Sequence, residues 1–92
     1  MPGGRVRTLT QTCLVGPSQW EGHLTDGRMF YVRCRHGRLE VRLSSVPTDD
    51  VSDAVHGGVV LERDLADPHE SYMEESVMME VTATVLDFDG IR

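Results

Sequence analysis

A pair of tight-turn signals limits what this chain can fold into. In GHLTDGRMFYVRCRHG, residues 22–37, Asp26-Gly27 and His36-Gly37 flank a run that alternates apolar and polar side chains. Glycine at such a place supplies the positive φ that a short hairpin loop needs. Two loop lengths are open at the first turn. A two-residue Asp26-Gly27 loop pairs Leu24 with Met29 and sets Trp20 opposite Arg33. A three-residue Thr25-Asp26-Gly27 loop pairs Leu24 with Arg28, Gly22 with Phe30 and Trp20 with Val32. The longer loop is preferred because it puts Trp20 and Val32 on one face, and a slip of one residue would turn Trp20 to the other. At the second turn a two-residue His36-Gly37 loop sets Cys34 opposite Leu39, Val32 opposite Val41 and Phe30 opposite Leu43.

These registers predict a three-stranded antiparallel meander over about residues 18–43. One face reads Trp20, Phe30, Val32, Cys34, Leu39, Val41 and Leu43 and is a coherent core. The other reads Glu21, His23, Met29, Tyr31, Arg33, Arg35, Glu40 and Arg42 and is expected to face water, as antiparallel sheets commonly allow.

The flanks supply fewer constraints. Residues 1–4, MPGG, are expected to be disordered, and RVRTLTQTCLV reads as a first strand ended by the Gly-Pro-Ser at 16–18. SSVPTDDVSDAVHGG predicts a loop and a short helix, capped by Thr48, with Asp49 and Asp50 in its first turn and Gly57 at its end. VVLERDL reads as a strand or an extended connector, and ADPHE as a loop. The last segment, SYMEESVMMEVTATVLDFDG, reads two ways. As a helix, Ser71 and Glu74 form a capping box, and Met73, Val77, Val81, Val85 and Phe88 form a stripe. As a strand over 77–86, its β-branched alternation is equally good. The cap and the acidic first turn favour the helix, packed on Trp20, Phe30, Val32, Val41 and Leu43. The fold class expected is therefore α+β: the meander, a further strand or two, and a C-terminal helix on one face, in a single domain spanning 1–92.

A chain of 92 residues buries too little surface for a generous margin of stability, and five aromatics leave a small core. Self-association, as a homodimer, is the natural remedy, and the Val77-Met78-Met79 cluster offers apolar surface for it. Charge is split. Residues 1–43 hold seven arginines against three acids, whereas 44–92 hold two against twelve, for a net −6 with no lysine. Attraction between the two halves, within one chain or across a dimer, is the simplest reading of that split. No apolar run approaches the roughly 20 residues of a membrane-spanning helix, and no secretory leader follows Arg5 and Arg7. A cytoplasmic protein is expected, with Cys13 and Cys34 as thiols.

The motif Trp20-x-Gly22-x-x-x-Asp26-Gly27-Arg28-x-Phe30-Tyr31-x-Arg33-x-Arg35-x-Gly37 resembles that of small uncharacterised proteins of actinobacteria and their phages. It covers about residues 18–43. The resemblance implies a phage or actinobacterial source. It carries no established activity and assigns no catalytic residue.

Arg33, Arg35 and Arg42, with Tyr31 and with Arg28 near the turn, form a basic strand face that could take a phosphate-bearing ligand or nucleic acid. Glu21, Glu40 and the acidic C-terminal half of the same chain are the competing partners for that face. His23, Cys34 and His36 lack paired metal-ligand spacing, so no metal is expected. Asp87-Phe88-Asp89-Gly90 opens like a calcium loop, but this sequence holds no closing glutamate beyond it. No nucleophile elbow or phosphate-cradling glycine loop is present. The expectation is a non-enzymatic binding protein without cofactor, acting through a protein partner or self-association. Phosphate-bearing ligands are the alternative.

Overall fold

The three-residue turn is the one that forms. In a computed structural model, which describes residues 4–13, 18–65 and 73–89, Gly27 takes φ +91°. Leu24 donates to the Arg28 carbonyl at 2.8 Å, and Gly27 to the Leu24 carbonyl at 3.0 Å. Strands β3 (Ser18–His23) and β4 (Met29–Arg35) therefore pair with Trp20 opposite Val32 and Gly22 opposite Phe30. At the second turn His36 (φ 52°) and Gly37 (φ 73°) both occupy the left-handed region, the signature of a type I′ hairpin. This sets β5 (Arg38–Leu43) with Leu39 opposite Cys34, Val41 opposite Val32 and Leu43 opposite Phe30.

The sheet extends one strand beyond the meander on each side. VVLERDL forms β6 (Gly58–Asp64), antiparallel to β5, with a register shift between Val41 and Arg42. The expected first strand divides. Gly4–Arg5 is β1, and Thr10–Cys13 is β2, which pairs antiparallel with β3. The large sheet thus runs β2-β3-β4-β5-β6. Between β1 and β2 the chain crosses β3. Val6 bridges Leu24, Arg7 donates to the His23 carbonyl, and the Thr8 carbonyl lies against Gly22. Gly4 is not a frayed end, because β1 pairs in parallel with β7 (Leu86–Asp87).

The C-terminal segment is a helix, but a shorter one than its sequence suggests. Helix α2 (Glu75–Val81) has Glu74 at its N-cap with no side-chain capping bond. Met73 lies before the cap, outside the helix, and is buried, and Met78, not Val77, turns inward. Val77 is 43% exposed. The helix stops where its β-branched run begins. Thr82 donates its hydroxyl to the Met78 carbonyl at 2.7 Å, a bond that serves a helix end better than its middle. Tight turns over 82–85 then lead into β7. The stripe from Met73 to Phe88 consequently fails as one helix, although Met73, Val85 and Phe88 all reach the core by this irregular route. The expected cap at Ser71 and the breaks at 16–17 and 66–70 lie outside the described residues.

All seven expected core residues are buried, with Val6, Leu24, Met73, Met78, Val85, Leu86 and Phe88 completing the cluster. Trp20 is wholly enclosed, and its indole N–H has no hydrogen-bond partner among the described residues. Cys34 is buried in the core and joins no disulfide among the described residues. No helix among the described residues is long and apolar enough to cross a membrane.

Two glycines test this packing. A Cβ on Gly22 would sit 1.9 Å from the Thr8 carbonyl oxygen, whereas one on Gly58 would meet nothing within 4 Å. Gly22→Ala is expected to cost about 3 kcal/mol by overpacking against backbone. Gly58→Ala should stay within about 0.5 kcal/mol of wild type. Urea unfolding followed by Trp20 emission measures both.

Candidate functional site

The outward face of the meander is not simply wet. Helix α1 (Val51–Val55) lies across β4 and β5, so part of this face is a second, smaller core. Ala54 is fully buried, and Met29, expected in water, is only 5% exposed. The helix begins two residues later than expected. Asp50, not Thr48, is its N-cap, accepting from the Ser52 backbone N–H at 3.0 Å and the Ser52 hydroxyl at 2.8 Å. Those two bonds, the hydroxyl's the stronger influence, hold the Asp50 carboxyl below its ordinary value. Thr48 braces the start from outside, donating its hydroxyl to Asp53 at 2.6 Å.

Three ties anchor this helix and its lead-in to the sheet. His23 Nε2 contacts the Thr48 carbonyl at 3.2 Å and Asp49 Oδ1 at 2.9 Å. Met29 donates its backbone N–H to Ser44 Oγ at 3.0 Å. Arg42 donates from Nη1 to the Gly57 carbonyl at 3.2 Å, just past the helix.

Where α1 ends, a pocket of about 320 Å³ opens between helix and sheet, lined by Tyr31, Arg33, Glu40, Arg42, Val55 and His56. Three of the five residues singled out from sequence therefore meet there: Tyr31, Arg33 and Arg42. The other two do not. Arg28 lies at the hairpin end, with Nε on Asp26 Oδ2 at 2.8 Å. Arg35 donates from Nε to His36 Nε2 at 3.1 Å, beside the second turn.

The pocket's charges are partly satisfied from within. Arg42 Nε donates to Glu40 Oε1, and that bond raises the guanidinium's pKa above its ordinary value. Arg33 is the direct strand neighbour of Glu40, yet its guanidinium makes no hydrogen bond or ion pair to any described residue. Beyond the pocket the same face alternates in sign. Glu62 lies opposite Glu40, and Arg38 pairs with Asp64 at 3.3 Å and with Glu62 at 3.9 Å. The acidic half thus answers Arg38 through Glu62 and Asp64, as the charge split anticipates, whereas Arg42 pairs with Glu40 of its own half and Arg33 with neither.

Among the described residues no group of three His, Cys, Asp or Glu side chains could hold a metal ion. Comparison with protein-family models, with curated proteins and with solved structures found no match.

Sequence reasoning misses Val55, His56 and Glu40 as pocket residues. Glu40 is legible in the sequence as a partner for the arginines of that face, and it does pair with Arg42, but not as part of a pocket wall. The other two depend on α1 docking against the sheet. The one local hint is Ala54, a small apolar side chain between Asp53 and Val55 that permits a close approach.

The turn supplies a test in pH. The Arg28 backbone N–H, at 3.0 Å from Asp26 Oδ1, is the main cause that holds the Asp26 carboxyl below 3.8, with the guanidinium adding to it. A carboxyl with a lowered folded pKa contributes stability that is complete above its unfolded value. That contribution is lost as pH falls through 3.8 toward the folded value. Asp26→Asn should therefore show a smaller fall in urea midpoint than wild type between pH 6 and about pH 3.

Proposed function

We propose that the chain is a small non-enzymatic cytoplasmic binding protein that acts by contact with a protein partner or with a second copy of itself. The observation that carries this reading is the open part of the outer sheet face, beyond α1. There Arg35, Arg38, Glu62 and Asp64 stand exposed with both signs interleaved. An interleaved surface of this kind creates little long-range field, so it does not concentrate a polyanion. It can instead match one particular arrangement of charges on another protein, which gives specificity through pairing and misfit. The acids among the arginines weigh against a nucleic-acid strand on this face. The hairpin motif supports a phage-related setting, in which such a contact would modulate a host system.

The test joins self-association to partner capture. Sedimentation over a wide concentration range, and affinity capture from an actinobacterial lysate, are run on wild type and on Arg35→Glu/Arg38→Glu. Trp20 emission checks that both fold. The expected result is a dimer or a captured partner with wild type, weakened about tenfold or more by the charge reversal. A wild type that stays monomeric and retains no protein, or a variant that associates equally well, overturns the reading.

A further inference from the structure

We propose that the pocket between the sheet and the end of α1 is a binding site for a small organic oxyanion, with Arg33 as its charge-bearing anchor. The site uses the concave part of the face, so it stands or falls apart from the protein-contact reading.

The first argument is charge. Glu40 and Arg42 form a neutral pair inside the pocket, which leaves Arg33 as the one pocket cation without a counterion among the described residues. A single uncompensated guanidinium matches a single negative charge. Its planar fork presents paired donors to the two oxygens of a carboxylate or of a phosphate group. A ligand with a denser charge would meet the Glu40 carboxylate.

The second argument is the supply of further polar groups. The Tyr31 hydroxyl has no partner among the described residues. His56 engages the Ser52 carbonyl through Nδ1 at 2.9 Å, which leaves Nε2 as its remaining polar atom. Arg42 has committed Nε and Nη1, and a guanidinium holds five N–H donors, so it retains others. Val55 and the Tyr31 ring add apolar lining. A few convergent polar groups beside apolar wall are the usual make-up of a small-molecule site.

The third argument is size. About 320 Å³ lies at the lower end of the range for ligand pockets. It suits one ring or a short chain bearing one oxyanion group.

The test is a titration followed by backbone amide NMR, with benzoate and phenyl phosphate as probes and sodium chloride at matched ionic strength as the blank. Wild type is compared with Arg33→Gln and with Arg63→Gln, which removes an exposed arginine whose strand partner Leu39 faces the core. The expected result is saturable shifts at residues 31–33, 40–42 and 55–56 with at least one probe. Arg33→Gln should weaken that binding about tenfold or more, while Arg63→Gln leaves it unchanged. The relative affinity of the two probes tells carboxylate from phosphate. Equal weakening by the two variants, or no saturable shift with either probe at millimolar concentration, overturns the proposal. Should Arg33→Gln fail to fold, the wild-type shifts decide: confined to the pocket they support it, and spread over all the arginines they overturn it.

Discussion

Everything else in this fold hangs on the pairing of Trp20 with Val32. That pairing exists because Gly27 adopts a backbone conformation other residues resist, which makes the first loop three residues long. With this register the largest side chain in the protein enters the core beside Phe30 and Val41. One residue of slip would set Trp20 opposite Arg33 and leave the indole on the same face as Tyr31 and Arg33. The β3–β4 hairpin is therefore both the structural centre and the device that sorts arginines from apolar residues. The basic residues share a face for reasons of folding, before any ligand is considered.

That face is then divided by a short helix. Five residues of α1 would not persist alone. They persist because Asp50 caps them, Thr48 and His23 hold their approach, and Ala54 seals them to β4 and β5. The division creates two environments from one row of alternating residues. On one side of the boundary charges lie open and mixed. At the boundary they are gathered into a recess, where Glu40 chooses Arg42 over its strand neighbour Arg33. Geometry explains the choice only in part: Arg42 is also drawn toward the Gly57 carbonyl, which fixes its guanidinium beside Glu40.

The meander was readable residue by residue, because turn chemistry and period-two alternation are local signals that here agree. Both registers and the seven core positions follow from them, while VVLERDL stays open between strand and extended connector until its pairing with β5 decides it. The C-terminal segment was readable only in outline. Its helical and strand signals overlap, and the chain uses each in turn, helix over 75–81 and strand at 86–87. The inward turn of Met78 in place of Val77 depends on where that helix starts, which no single residue announces. At the site, Tyr31, Arg33 and Arg42 were legible as a face. Their enclosure was not, since it depends on a five-residue helix docking at long sequence separation, and such contacts leave almost no trace in local pattern.

Both rim strands of the five-stranded sheet break register. On β2 the shift falls between Gln11 and Cys13, and on β6 it lies beside Val59 and Leu61. β6 also ends in Glu62, Arg63 and Asp64, all exposed. An irregular ladder tipped with charge is a poor template for an incoming strand. A sheet with such rims resists growing into a ribbon shared between molecules. It can therefore carry an alternating, strand-rich sequence at high concentration with a low tendency to seed fibres.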